Sequence, residues 1–394
     1  MTMAELDQIK QFSQLNHEPQ WLTAKRMVAY QMASTLPKFH LKGVDTKHVA
    51  FNNPSLMYHP LDKHNYAPDD AKKKGVLAIN LLYATRYDRE LLQENLMEKC
   101  FIWNHDQFSA QHVAFLQTGA FVFIPSNVVV KEPIDVSKLV NPMKQEKHVL
   151  IIAGANSEAT VVYSSGRHTS PNTRQITEIL LGDNAHLNYY DSATTDAQQN
   201  QKGLYAYLAR TSRLDSYVSL LNQHDTVYQG KVNLDGEGSE AYLNLISLSD
   251  HHQYQAIHND VTNYQTHTTG IIRQRGIVAN QATTHCYTVG KIVQGAKKTN
   301  SDQSARLLTL DPHSKGEIDP VLLIRDNDVE AGHSASIGKV NRELLYYLET
   351  RGISKVKAIY LLTLGFLFPL IQKFPEKNLR DKIFHQLEDR VYER

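Results

Sequence analysis

Between Ala120 and Gly338 the chain is written in short β-branched and aromatic runs, and four of them recur at a nearly constant step. Ala159-Thr-Val-Val-Tyr, Ala185-His-Leu-Asn-Tyr-Tyr, Arg213-Leu-Asp-Ser-Tyr-Val and Ala241-Tyr-Leu-Asn-Leu-Ile begin 26, 28 and 28 residues apart. Several follow turns of one kind: Gly154-Ala-Asn-Ser, Gly182-Asp-Asn and Gly236-Glu-Gly-Ser. A strand-rich period of this length, with no helical segment between the strands, means a unit that buries its apolar face only against the next copy of itself. The spacing favours a β-solenoid. The alternative is an antiparallel sandwich, whose strands recur about every 8–12 residues.

Helical text flanks this core. Met1 to about Leu36 has apolar positions Leu22, Val28, Ala29 and Met32 near helical spacing, with Pro19 at a helix start and Pro37 ending it. Residues 38–75 read as irregular, and Gly75–Lys99 as a second helical piece. The expected division is a helical region with a linker over 1–100, a β core over 101–338 and a helical region over 339–394. In the last, Asn341 can cap a helix with Leu344, Leu345 and Leu348 on one face. Gly352 stops it, Ser354 caps the next, and that helix is expected to end near Phe368, before Pro369. Pro375 opens a third, with Leu379, Ile383, Leu387 and Val391 four apart. These helices either cap the end of the core or form a docking surface. Phe366, Phe368 and Leu370 are more apolar than a cap requires, which favours docking.

Charge excludes some partners. The 42 basic and 41 acidic residues nearly cancel, so nothing argues for nucleic acid or an anionic membrane. Ala358–Ile371 is too short for a membrane span, and Met1–Lys10 carries Glu5 and Asp7 with no apolar run, so a soluble cytoplasmic protein is expected. The two cysteines, Cys100 and Cys286, make no disulfide framework and cannot alone hold an iron–sulfur cluster. No CxxC, HExxH or phosphate-binding loop occurs. Gly290-Lys291 and Gly338-Lys339 lack the upstream glycine and the following hydroxyl.

His251, His252, His258, His267, His285 and His333 crowd into one part of the core, but their spacings match no ligand motif. His285-Cys286 has soft-metal chemistry, yet neighbours along a strand face opposite ways, and Cys286 also reads as a small buried hydrophobe. His333 stands among Ala331, Gly332, Ser334, Ala335, Ser336 and Gly338, at the junction of strand-like and helical text. It is either a packed corner residue or a group presented to a ligand or partner, with Glu330 near enough in sequence to orient it.

Asp328-Val-Glu-Ala-Gly-His-Ser-Ala-Ser-Ile-Gly followed by Leu344-Leu-Tyr-Tyr-Leu-Glu-Thr-Arg-Gly-Ile resembles the C-terminal signature of the SufB/SufD family. Gly119-Ala-Phe-Val-Phe-Ile-Pro with Pro133, Gly236-Glu-Gly-Ser-Glu-Ala and Glu18-Pro-Gln-Trp-Leu extend the resemblance over most of the chain. It implies a right-handed parallel β-helix flanked by N-terminal and C-terminal helical regions. It implies a non-catalytic scaffold for iron–sulfur cluster assembly, paired with SufB through the β-helix ends, with the ATPase SufC on the C-terminal helices. The SufC-docking positions are then Leu344, Tyr347, Leu348, Ile359, Leu362, Phe366 and Phe368. The family often has Cys two residues before the histidine matching His333; here Ala331 stands there. Iron or a cluster would be held only transiently, by His333 with SufB ligands, and Cys286 is the other, weaker metal candidate. Two further readings stand beside this one. The first is a homodimeric adaptor. The second is a β-helix carbohydrate-active enzyme, which the scattering of Asp and Glu into turns disfavours.

Overall fold

A computed structural model describes residues 3–46, 53–164, 172–374 and 377–392, with the side chains of 391 and 392 excepted. Pro375 and the side chain of Val391, both given a part in the last helix above, lie outside the described residues.

The N-terminal layer holds α1 (Met3–Leu15), α2 (Gln20–Met32), α3 (Asp69–Lys72), the short strand β1 (Leu77–Asn80), α4 (Leu81–Ala84), α5 (Arg89–Asn95) and α6 (Gln107–Ala114). Two series of strands then alternate along the chain. One is β2 (Thr118–Ile124), β4 (Glu146–Ala153), β6 (Asn172–Leu181), β8 (Gln199–Leu208), β10 (Asp225–Leu234), β12 (Tyr254–Asn263), β14 (Thr283–Ile292) and β16 (Lys315–Ile324). The other is β3 (Ile134–Asp135), β5 (Glu158–Tyr163), β7 (His186–Asp191), β9 (Arg213–Leu220), β11 (Glu240–Ser249), β13 (Thr269–Val278), β15 (Thr299–Thr309) and β17 (Val329–Lys339). The C-terminal helices are α7 (Arg342–Thr350), α8 (Lys355–Ile371) and α9 (Lys377–Tyr392).

Each series is one sheet. Nine strands run β1-β2-β4-β6-β8-β10-β12-β14-β16 and eight run β17-β15-β13-β11-β9-β7-β5-β3. Every pairing is parallel except β1 with β2. The chain therefore coils, adding one strand to each wall per turn, and the structure is a parallel β-solenoid of about seven coils. The step per coil ranges from 26 residues (Gln199 to Asp225) to 32 (Thr283 to Lys315).

The walls face each other across one core in which like positions stack. One inward column reads Ile151, Ile179, Ala206, Val232 and Val261. Some of the polar groups that enter the core are paired, which offsets the cost of burying them. Lys202 Nζ lies 2.6 Å from Asp191 Oδ1, whose other oxygen accepts from Gln175 Nε2 at 2.8 Å. The repeat read from sequence lands in β5, β7, β9 and β11, but the true register is Ala159–Leu187–Leu214–Ala241.

The glycine–asparagine turns have a physical reason. Asn127, Asn156 and Asn184 take the left-handed conformation, with φ of 63°, 57° and 56°, and Thr211, Gly238 and His267 continue the series. Each donates its backbone N–H to the turn of the next coil: Asn127 to Ala155, Asn156 to Asp183, Asn184 to Arg210. The asparagine amides stack as well. Asn184 Nδ2 donates to Asn156 Oδ1, and Asn156 Nδ2 to Asn127 Oδ1, both at 3.0 Å.

Three expectations need correction. Gly75–Lys99 is not one helical piece: Leu77–Asn80 is a strand. Its alternate residues serve two cores at once, Ala78 the solenoid and Ile79 the helical layer, and only an extended chain does that. The helix α6, unread in the sequence, joins α1 and α2 over the outer face of the first few strands of the nine-stranded sheet. The helix α8 continues through Pro369 to Ile371, because Pro369 removes a donor only in the last turn; Arg275 NH1 separately ties the helix to the solenoid at the Phe366 carbonyl, at 2.6 Å. Nor do the C-terminal helices cap the end of the solenoid. Leu367, Leu370, Ile371, Leu379, Ile383 and Leu387 lie along its flank, against Val162, Tyr190, Tyr217, Ile246, Leu248 and Ile277 of the eight-stranded sheet.

Asn156→Ala keeps a β-carbon in the left-handed turn, loses the asparagine side chain that tolerates that conformation, and removes two amide hydrogen bonds. It is expected to cost about 1–3 kcal/mol, whereas Asn156→Gly keeps the backbone and loses only the amide share. Denaturant melts of the two variants check this ordering.

Candidate functional site

The two ends of the solenoid differ. At the first, antiparallel β1 closes the nine-stranded sheet by pairing Ile79 with Phe121. At the last, among the described residues, β16 pairs only with β14 and β17 only with β15. Their outer edges keep free backbone donors and acceptors, which is a template for another chain. Pro320 interrupts the β16 row, since proline brings no N–H.

The apolar interior is also open there. Ile337 is 49 % exposed and Ile324 41 %, although their equivalents in earlier coils, Leu307 and Ile292, are covered. His333 sits on β17 and shares an inward-facing column with Leu243, Ile272 and Gln303. It is the last member of that column and is exposed because no coil follows. Gln303 below it is fully engaged, accepting from Thr288 Oγ1 at 2.6 Å and donating to the Val321 carbonyl at 2.9 Å. Ala331 and Ala335 flank His333 in the same inward row, so the imidazole stands clear of its neighbours. Glu330 does not orient it. Three residues apart on one strand, the two side chains take opposite faces.

Cys286 is buried in the solenoid core under Ile318, where Gln274 Nε2 lies 2.7 Å from its sulfur. Burial pushes this thiol well up, so it stays protonated. Its neighbour His285 faces outward, with Nε2 2.7 Å from Asp319. The other histidines disperse too. His258 lies buried against the Tyr287 ring, His267 stands at a turn beside Glu237, and His251 and His252 line a groove of about 590 Å³ with His224. Among the described residues, no three His, Cys, Asp or Glu side chains gather in a metal-binding group.

The helix α7 follows β17 directly and carries no buried residue. Asn341 caps it by accepting from the Leu344 N–H. Leu344 and Tyr347 are 44 % and 51 % exposed, and Leu348 is half-buried. On α8, Phe368 is exposed, while Ile359 and Leu362 are half-buried. Phe366 is half-buried against the solenoid, with the Arg275 guanidinium over its ring. Together α7 and the outer side of α8 make an apolar surface continuous with the open end.

Fold and site together define a parallel β-solenoid protein with one closed end and one open, edge-presenting end. The family model described as "SUF system FeS cluster assembly, SufBD core domain" matches residues 137–366. The chain is 28% identical to the iron–sulfur cluster assembly protein SufD of Bacillus subtilis, with 99% of each covered. It is 24% identical to an iron–sulfur cluster assembly SufBD family protein of Pyrococcus horikoshii, over 94% of this chain and 92% of that one. A SufBD family protein of Staphylococcus epidermidis is 23% identical, over 85% of this chain and 71% of its own. The chain belongs to the SufB/SufD family of the SUF iron–sulfur cluster assembly system, and within that family it is SufD-like. Among the described residues no helix is long and apolar enough to cross a membrane.

Sequence reasoning singled out His333 as a candidate but not its setting. The open end depends on β16 and β17 lacking a next coil and on the C-terminal helices turning away. Only the small-residue run hinted at a close-fitting surface.

Both thiols are expected to resist maleimide in the native protein at pH 8 and to react once it is unfolded, because each is buried and pushed up by burial. Mass spectrometry of labelled protein checks this, and fast native labelling of Cys286 would contradict the closed core described here.

Proposed function

We propose that the chain is a cytoplasmic, non-catalytic scaffold subunit that pairs with SufB through the free edges of β16 and β17 and docks the ATPase SufC on α7 and the outer side of α8. Iron, or a cluster under assembly, is the cargo, held transiently between His333 and ligands of SufB. The observation that carries this reading is the inward-facing, exposed His333 on the last strand of an uncapped solenoid. The core chemistry agrees. Both thiols are buried and protonated, so ligands from this side of the interface are imidazole rather than thiolate. Closure of two SufC subunits on ATP would pull on α7 and α8 and shift the SufB interface, opening it for iron and sulfur.

Two outcomes follow. In the complex reconstituted anaerobically, His333→Ala is expected to lower bound iron about tenfold or more while leaving subunit composition and melting unchanged. An unaltered cluster yield reduces His333 to a packing residue. Leu344→Asp combined with Tyr347→Ala removes two exposed anchors of about 2 kcal/mol each, and SufC is expected to be lost on co-purification while SufB is retained. Stoichiometric SufC on that variant overturns the docking assignment. The mass of the chain alone and with SufB separates heterodimer from homodimer, since the same free edges could pair two copies of this chain.

A further inference from the structure

A second cluster of ionisable groups lies far from the open end, between α6 and the outer face of the nine-stranded sheet. Four side chains form an unbroken buried line. Glu146 Oε2 is 2.7 Å from His112 Nδ1, His112 Nε2 is 3.1 Å from His148 Nδ1, and His148 Nε2 is 3.0 Å from Glu178 Oε2. The other Glu146 oxygen lies 3.0 Å from Arg174 NH1. All five side chains are almost wholly shielded from solvent. They come from α6 (His112), β4 (Glu146, His148) and β6 (Arg174, Glu178), so the line ties the helical layer to the solenoid.

We propose that this line is a proton-binding site, holding one proton more than two carboxylates and two neutral imidazoles carry, and that this proton latches the α5–α6 layer onto the solenoid. The count is geometric. Three contacts need three hydrogens, and two neutral imidazoles supply two. Without the third, two lone pairs face each other in a buried site. Charge gives the same answer. Two carboxylates and Arg174 sum to −1, and one added proton makes the cluster neutral, as burial demands.

The position of the proton follows from the partners. Glu178 accepts from the backbone N–H of Met97 at 2.7 Å and of Phe101 at 3.2 Å, from Cys100 Sγ at 3.5 Å, and from His148. Three other donors already point at it, so it takes the acceptor's part in the His148 contact as well. The proton therefore sits in the Glu146–His112–His148 part. Burial pushes Glu146 up to about 8 and His112 well down, so the carboxyl of Glu146 holds it and donates to His112 Nδ1.

Other charged groups stand near the line, and Asp106 among them also acts on Arg174. From α2, Arg26 pairs with Glu18, and Lys25 pairs with Glu98 beyond α5. Asp106 caps α6 by accepting from Ser109 N. Cys100, and Tyr205 beside Phe101, are pushed up by burial and stay neutral.

Linkage fixes the sign. When the layer opens, the imidazoles return to about 6.5 and the carboxylates ionise. Near pH 6.5 the open state binds about one proton on its two imidazoles, as many as the closed state, so opening is least favoured there. Above that pH the closed state binds more, and opening rises about fourfold between pH 6.5 and 8. Below it the open state binds up to two, and opening rises again.

Glu146→Gln is the decisive variant. Its amide N–H donates to His112 Nδ1 and its carbonyl keeps Arg174, so the line is complete with no added proton. The open state then binds more protons than the closed one, and opening falls about fourfold over the same range. Hydrogen exchange of peptides covering Gln107–Ala114 in the full chain, corrected for intrinsic rates and referenced to β14, reads both slopes. Opposite slopes support the site, and slopes of the same sign overturn it. If Glu146→Gln does not fold, the wild-type slope decides, and opening that is flat or falls from pH 6.5 to 8 removes the proposal.

Discussion

A parallel strand satisfies its backbone only by lying beside another strand in register, and every coil of this protein meets that need with the coil before and the coil after it. The left-handed turn residues keep the coils in step, with Asn127, Asn156 and Asn184 passing hydrogen bonds from turn to turn. Nothing in such a ladder makes it stop. The protein ends it differently at its two limits. Antiparallel β1 terminates one wall at the N-terminal side, whereas β16 and β17 end in unfilled edges. The functional asymmetry of the molecule follows from that difference, because a surface built to continue is a surface built to be joined.

The walls are dressed unequally as well. The helical layer with α6 covers the early part of the nine-stranded sheet, and residues around Leu41 and Val44 cover Val227, Ala256 and Tyr287 further along. The contact is close: a β-carbon on Gly43 would overlap the Tyr287 ring, and its φ of +82° is one only glycine takes freely. The helices α8 and α9 cover the other sheet. Each covering element uses outward positions of strands whose inward positions build the core. This is why the strands read as nearly continuous apolar runs and not as a clean alternation.

That double burial also explains what could be read in the sequence. The solenoid was legible because Gly154, Asn156, Gly182, Asn184, Gly236 and Gly238 mark one recurrent backbone conformation. The register was not, because tyrosines recur in several columns and Ala185 was matched where Leu187 belongs. The strand at Leu77–Asn80 was hidden because residues buried on both sides carry no period of two. The separate faces of His285 and Cys286 could be read from strand parity, and the structure keeps them apart. The latch of His112, Glu146, His148 and Glu178 left no local signal. Its members come from three segments about thirty residues apart and meet only when α6 docks. Glu146 and His148, polar residues two apart beside Val149-Leu-Ile-Ile, were its one trace.

The placement of α8 and α9 has a mechanical meaning. Along α9, Lys382 reaches Ser164, Gln386 reaches Thr194, and Arg390 reaches the carbonyls of Leu221 and Asn222, while α8 packs against β11 and β13. The pair is thus fastened across many coils side by side. A load carried by α8 and α9 enters the solenoid as shear, spread over several strands at once, whereas α7, joined directly to β17, passes load to the last coil as well.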